Sequence, residues 1–272
     1  MSAPVAAVVT RADRVRQVAV TISLVLCVVG SMIGVGVFGG TPIQDAAGGL
    51  LAADATHLAP ASPAFSVWTV IYLGLGAYTV VQLLPGRAAD SLFRKVGWPA
   101  AASMLLNAAW ILVVQAGLVA LSVAVIVALL AVLVLIFLRL GVAHGRRRLD
   151  RVVVDGTFGA YLGWVSVATV ANIAAALLGA GFTGAGLPQV LSVAMLAVVA
   201  VVGVGLALVG GAGRMSAVGR YGVAATMVWG LVWIGVGRTQ GEPLAPVTAY
   251  AAWAAAAVIA AVTLLRSRRR TS

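Results

Sequence analysis

The stretch WPAAASMLLNAAWILVVQAGLVALSVAVIVALLAVLVLIFLRL runs from Trp98 to Leu140 and carries no charged side chain before its last turn. At about 1.5 Å of rise per residue, a single helix of this length would be roughly twice as long as the hydrocarbon core of a bilayer is thick. We therefore divide it into two membrane-spanning helices, near 98–117 and 120–139. The small residues of the segment 117–122 form the predicted hairpin between them.

The composition of the whole chain agrees with this stretch. Hydrophobic residues make up 62% and charged residues 9% of the 272 residues, and the mean hydropathy is +1.10. Soluble domains have about 45–50% apolar and about 25% charged residues, so this chain lacks the polar surface that water requires. Its net charge of +11 lies in short clusters between apolar runs, which argues against a nucleic-acid partner. Lipid is the expected solvent.

The same reasoning applied outward from 98–140 gives an all-α, polytopic membrane helix bundle of about eight spans. A helix crosses a membrane with about 20 apolar residues, because each backbone polar group must be satisfied within the segment. The predicted spans lie near 18–38, 65–84, 98–117, 120–139, 153–178, 189–210, 218–237 and 246–265.

The basic residues predict the orientation of these spans. Lys and Arg are retained on the cytoplasmic side in short loops. With eight spans and a cytoplasmic N-terminus, Arg238 alone of the 18 basic residues lies on the outer side of the membrane. The loop 39–64 is then external and has no Lys or Arg. We expect a multi-pass protein of the cell membrane with both termini in the cytoplasm. The predicted inner residues are Arg11, Arg14, Arg16, Arg87, Arg94, Lys95, Arg139, Arg146, Arg147, Arg148, Arg151, Arg214, Arg220, Arg266, Arg268, Arg269 and Arg270.

The ionisable residues give little sign of catalysis. Asp155 and Arg139 lie near span ends, where they can stay at the interface, so an ion-coupled mechanism is disfavoured. His57 and His144 lie in loops on opposite sides and cannot share a metal. The single lysine, Lys95, lies in an inner loop and cannot form a retinal Schiff base within the membrane. No histidine or membrane-depth acid can activate a serine. The sequence predicts no enzyme, no metal site and no required cofactor.

Aromatic and amide residues recur at helical spacing in the second, third and fifth spans. Residues three and four apart share a helix face, and an amide at membrane depth needs hydrogen-bond partners inside the bundle. Such a face suits a flat, largely apolar ligand, although spacing alone also allows simple packing, with the amides tying helices together. The candidate site residues are Phe65, Trp68 and Tyr72, then Asn107 and Trp110, then Tyr161, Trp164, Ala168 and Asn172.

At these positions the chain resembles the tryptophan-rich sensory protein family, the TspO and peripheral benzodiazepine receptor proteins. The segment FSVWTVIYLGLGAY, from Phe65 to Tyr78, is similar to the family's second helix. Leu106, Asn107 and Trp110 match its LNxxW pattern in the third helix. The residues Tyr161, Trp164, Ala168 and Asn172 match its YxxWxxxAxxxN pattern in the fifth. Pro60 and Pro63 lack the family's preceding Trp, and Ala160 stands where the family has Pro.

The resemblance implies a five-helix TspO-like bundle over residues 1–180. Residues 181–272 would add three further helices and a basic tail within the same membrane domain. It also implies a receptor, sensor or carrier that binds a tetrapyrrole, such as a porphyrin or haem, or a sterol-like molecule between its helices. The loop 39–64 would cover the site, and a homodimer is a further expectation.

Two other functions remain open from the sequence: a small-solute permease, and a structural membrane protein without a ligand. Permeases commonly carry mid-membrane charges or inverted repeats, and neither is evident here. A structural protein would not need tryptophans and amides on converging faces.

Overall fold

The computed structural model describes residues 8–39, 41–141, 146–210 and 215–268. Within these ranges the chain is helical, has no strand, and forms eight helices long and apolar enough to cross a membrane. This confirms the predicted all-α bundle. His144, Arg214, Arg269 and Arg270 lie outside the described residues.

The helices are α1 (Arg11–Gly34), α2 (Val67–Leu83), α3 (Ser91–Gln115), α4 (Val119–Leu140), α5 (Arg148–Gly179), α6 (Pro188–Val209), α7 (Ala217–Gln240) and α8 (Pro246–Arg268).

Three helices begin earlier than the apolar runs predicted. Thr10 and Asp13 form a capping box that starts α1 at Arg11 instead of near residue 18. The carboxylate of Asp90 accepts a hydrogen bond from the Leu92 amide at 2.9 Å, which starts α3 at Ser91. Helix α5 begins at Arg148 and contains a π-helical segment, Arg151–Gly156. Hydropathy detects only the membrane-embedded turns, whereas capped polar turns extend a helix beyond them.

The first five helices form a closed ring. Helix α1 packs against α2 and α3, α3 against α4, α4 against α5, and α5 returns to α2. Gly30 and Gly34 of α1 face Ala108 and Ile111 of α3, which lets the two backbones approach closely. The candidate residues on α2, α3 and α5 therefore point toward a common interior.

The last three helices join this ring through α7. Helix α7 packs against α5 and α8, and α8 packs against α6. Gly159 and Gly163 of α5 lie directly against the backbone of α7 at Gly219 and Val223, so neither glycine has room for a side chain. Small residues one turn apart allow this close approach in membranes, where apolar burial alone does not drive helices together.

Ion pairs collect at the end of the bundle where α1 begins. Asp13 pairs with Arg94 at 2.6 Å and with Arg16 at 2.8 Å. Arg87 pairs with Asp150 at 2.9 Å. These charges belong to the predicted inner side, where they lie in the first turns of helices or in short connections. Partners for each charge allow them to be buried at the edge of an apolar bundle.

Asp155 lies in the first turns of α5, where it is buried within the protein. Its side chain is fully buried in the π-helical segment of α5, where it pairs with Arg146. It also accepts a hydrogen bond from the Ser216 amide at 3.3 Å, just before α7. This carboxylate therefore links the five-helix ring to α7.

Candidate functional site

Aromatic side chains of α2, of the turn before it and of α5 pack into one cluster. The rings of Trp68 and Tyr72 stack with centroids 5.4 Å apart. Trp68 meets Tyr161 and Trp164 edge to face, at centroid distances of 5.8 and 6.2 Å. Phe65 meets Trp164 in the same way at 5.9 Å. Ring quadrupoles favour these geometries, so the cluster is stabilised beyond the burial of its apolar area.

Asn172 of α5 ties three helices together at the edge of this cluster. Its Oδ1 accepts a hydrogen bond from the Trp110 indole of α3 at 3.0 Å, and its Nδ2 donates to the Ser122 hydroxyl of α4 at 2.9 Å. The side chain is 1% exposed. A buried amide with both ends satisfied fixes the positions of its neighbours, because breaking either bond leaves an unpaired polar group.

Asn107 of α3 is bonded at one end only. Its Nδ2 donates to the Tyr72 hydroxyl at 3.0 Å and to the Cys27 thiol at 3.4 Å. Its Oδ1 is buried and has no hydrogen-bond partner among the described residues, and the same holds for the indole Nε1 of Trp164. A free acceptor and a free donor in an apolar interior are costly unless something else bonds to them.

Two small cavities border the cluster, and both are lined by Phe65, Trp110, Trp164 and Ala168. The first, of about 20 Å³, also touches Asn107. The second, of about 40 Å³, lies under the connection between α1 and α2, and we call it the antechamber. A water molecule needs about 10–15 Å³, so these spaces have room for water but not for a flat ring system. A ligand of that size requires the cluster or its cover to move.

The cover is the connection from residue 41 to residue 61, which we call the lid. Leu50, Leu51 and Thr56 of the lid line the antechamber directly above the aromatic rings. At its first end, the Ile43 amide donates to the Gly34 carbonyl of α1 at 2.8 Å. Leu58 and Ala59 are buried near its second end. The lid is therefore packed onto the helix ends and does not extend freely from them.

Helix α7 holds the second half of the lid. The Arg238 guanidinium donates to the carbonyl oxygens of Thr56 at 2.7 Å and Ala53 at 2.5 Å. The Ala61 amide donates to the Trp233 carbonyl at 3.1 Å. Arg238 is fully buried, so its bonds to the lid carbonyls form away from bulk water. Charge-assisted hydrogen bonds of this kind are stronger than neutral ones.

The structure brings the predicted site residues together, whereas several of their neighbours carried no sequence signal. Ser122, Ile126 and Leu129 of α4 complete the cluster, but every residue of α4 except Ser122 and Arg139 is apolar, so hydropathy marks no face of this helix. Arg238 did stand out, as the one basic residue on a side otherwise free of them. The nine predicted residues in the cluster are Phe65, Trp68, Tyr72, Asn107, Trp110, Tyr161, Trp164, Ala168 and Asn172.

Metal-binding side chains do not cluster in the described ranges, where no group of three or more His, Cys, Asp or Glu could hold an ion. His57 lies in the lid, and burial together with the nearby Arg238 charge lowers the pKa of its imidazole below the ordinary value of 6.5. The neutral imidazole is therefore favoured at physiological pH.

Comparison with protein families gives a match over most of this chain. The sequence pattern described as TSPO-like protein matches residues 17–265, from α1 into α8. The curated proteins give no match, and neither do the solved structures. The predicted division near residue 180 stays a prediction, although the matched residues include the last three helices. Since the match covers most of a chain that forms a membrane helix bundle, this protein belongs to the TSPO-like family.

Proposed function

We propose that the chain is a membrane receptor, sensor or carrier that binds a flat hydrophobic molecule, a tetrapyrrole or a sterol-like compound, within the aromatic cluster. The proposal rests chiefly on one feature of the site. Trp68, Trp110 and Trp164 converge from three helices beside two buried polar atoms that lack partners among the described residues. Packing alone would favour a filled apolar core, so unpaired polar atoms at this place support a ligand.

The chemistry of the cluster limits what it can bind. Indole and phenol rings offer faces for stacking, the Asn107 oxygen accepts one hydrogen bond, and the Trp164 indole donates one. A ligand with a planar apolar body and a few polar groups meets these requirements. No side chain of the cluster is charged, so recognition does not depend on an ionic partner. The proposed role is binding and transfer or signalling, not catalysis.

The closed cavities mean that binding includes opening of the site. With about 20 and 40 Å³ of free space, the cluster must exchange some of its ring contacts for contacts with the ligand. Apart from Phe65 in the turn before α2, the lid alone lines the antechamber outside the eight long helices of the described structure. Lid movement is therefore the simplest way to admit a ligand.

Titration of the purified protein in detergent with protoporphyrin, followed by tryptophan fluorescence, tests this function. We expect saturable quenching in the parent. Trp68→Ala and Trp164→Ala should each raise Kd up to about tenfold, since a ring contact contributes about 0.5–1.5 kcal/mol beyond area burial. Trp98→Ala is the matched control, because Trp98 is 52% exposed and lies outside the cluster. Quenching that never saturates, or that falls equally in all three variants, would show mere partitioning into detergent.

A further inference from the structure

A larger cavity lies next to the lid, outside the aromatic cluster. Its volume is about 410 Å³, within the range of about 300–1,000 Å³ typical of small-molecule pockets. Val170 and Ala174 of α5 form one wall, and Ala194 and Met195 of α6 form the opposite wall. The lid closes one end with residues 55–58. We call this cavity the vestibule.

The vestibule lies between α5 and α6, which make few contacts with each other. Its lining includes exposed apolar side chains: Leu177 of α5 and Leu191 of α6 are 45% and 42% exposed, and Phe182 of the connection between them is 45% exposed. In a chain whose helices cross a membrane, large apolar side chains on the outer surface face lipid. A hydrophobic molecule dissolved in the bilayer can therefore reach the vestibule without crossing water.

A thin partition separates the vestibule from the antechamber. Thr56 of the lid lines both spaces. Its hydroxyl is buried and lacks a hydrogen-bond partner among the described residues. The partition, residues 53–58, is held by the bonds from Arg238 to the Ala53 and Thr56 carbonyls. On the side of the antechamber, the next side chains are Phe65 and Trp164 of the cluster.

We propose that the vestibule is the first binding site of the hydrophobic ligand, which arrives from the lipid and enters the cluster when the partition moves. This inference rests on the proposed function, because it names the route to that same site. The vestibule has the volume for a small apolar molecule, whereas the closed cluster does not. Arg238 then sets how often the partition opens, because it forms the charge-assisted bonds that must break.

The proposed route predicts that filling the vestibule slows the binding and the release of the ligand but leaves Kd unchanged. The full chain in phosphatidylcholine nanodiscs is mixed rapidly with protoporphyrin, and quenching is followed over time. Ala194→Phe fills the vestibule, and Ala197→Phe is the control, since Ala197 is exposed on the same helix but does not line it. Ala194→Phe should slow both binding and release about tenfold, equivalent to about 1.4 kcal/mol in the barrier, with Kd unchanged.

Arg238→Gln supplies an independent arm of the same experiment. Losing the charged bonds to the partition should speed both binding and release about tenfold, the effect of about 1.4 kcal/mol on the barrier. Equal rates for Ala194→Phe and Ala197→Phe, with saturable quenching in the parent, would overturn the route and leave the proposed function standing. Absence of saturable quenching in the parent would remove the proposed function and the route together.

Discussion

Asn172 and Asn107 occupy the same cluster but are bonded differently. Asn172 satisfies both ends of its amide with Trp110 and Ser122, whereas the oxygen of Asn107 remains free. Helical spacing predicted that both amides point inward, because lipid offers an amide no partner. It could not tell them apart, since Ser122 and Trp110 lie 50 and 62 residues from Asn172 in sequence.

This difference predicts that the two alanine substitutions affect different properties, stability for Asn172 and ligand binding for Asn107. Asn172→Ala leaves the Trp110 indole unpaired and should lower the free energy of unfolding by about 1–2 kcal/mol. Asn107→Ala removes the hydrogen bond to the Tyr72 hydroxyl together with a buried oxygen that already lacks a partner among the described residues. It should therefore cost less stability than Asn172→Ala but weaken protoporphyrin binding more. Thermal unfolding and fluorescence titration of both variants in one detergent check this. A larger loss of stability in Asn107→Ala would contradict the assignment.

His57 gives the lid a pH dependence. Burial and the Arg238 charge hold the pKa of the folded imidazole below 6.5, the ordinary value expected in the unfolded chain. Between these two pKa values the unfolded state binds more protons, so stability is full above pH 6.5 and declines as the pH falls below it. We expect the thermal midpoint of the parent to fall between pH 7.5 and pH 5.5.

His57→Gln should flatten the change in thermal midpoint between pH 7.5 and pH 5.5, because the glutamine side chain does not titrate. A pH dependence as large as that of the parent would refute this account of the lid.

At the level of helices, the contact between α5 and α7 attaches the last three helices to the ring. A methyl group on Gly163 would meet the Val223 carbonyl and the Thr226 hydroxyl of α7. That hydroxyl also donates to the Ala160 carbonyl of α5 at 2.8 Å, so it cannot turn away freely. The local sequence does not identify the partner helix of Gly163, because a small residue in a membrane helix suits any close helix contact.

Gly163→Ala should therefore destabilise the protein by about 1–3 kcal/mol, the usual effect of overpacking a tight contact. Gly205→Ala on α6 is the control, since a methyl group there meets nothing within 4 Å. It should be neutral or raise stability by about 0.5–1 kcal/mol through helix propensity. Thermal unfolding of the two variants in one detergent tests this prediction. Equal shifts of their midpoints would show that α7 is not held through this contact.

At the scale of the whole molecule, the spans were predictable from the residues alone and the family resemblance implied a cover over residues 39–64, whereas the contacts that hold this cover were not predictable. Bilayer thickness sets the length of each apolar run, so eight spans follow from local sequence. The lid is held by Arg238, whose partner carbonyls at Thr56 and Ala53 lie 182 and 185 residues away. The sequence pattern around Arg238 does not indicate contacts over such a separation. Every residue has a backbone carbonyl, so the side chains of the lid do not show which carbonyls accept these hydrogen bonds.

The last prediction is the orientation of the bundle. Eight spans place both termini on one side, and the clusters of basic residues, including Arg87 and Arg94, predict that this side is cytoplasmic.

The native Cys27 is the only cysteine and is buried, so single cysteines can be introduced without replacing it. Asp54→Cys in the lid and Ser91→Cys at the start of α3 are matched probes, because both residues are exposed. A membrane-impermeant maleimide should label Asp54→Cys in intact cells, and Ser91→Cys only after the membrane is opened. The reverse pattern would invert the topology and place the lid, with its vestibule, at the cytoplasmic face.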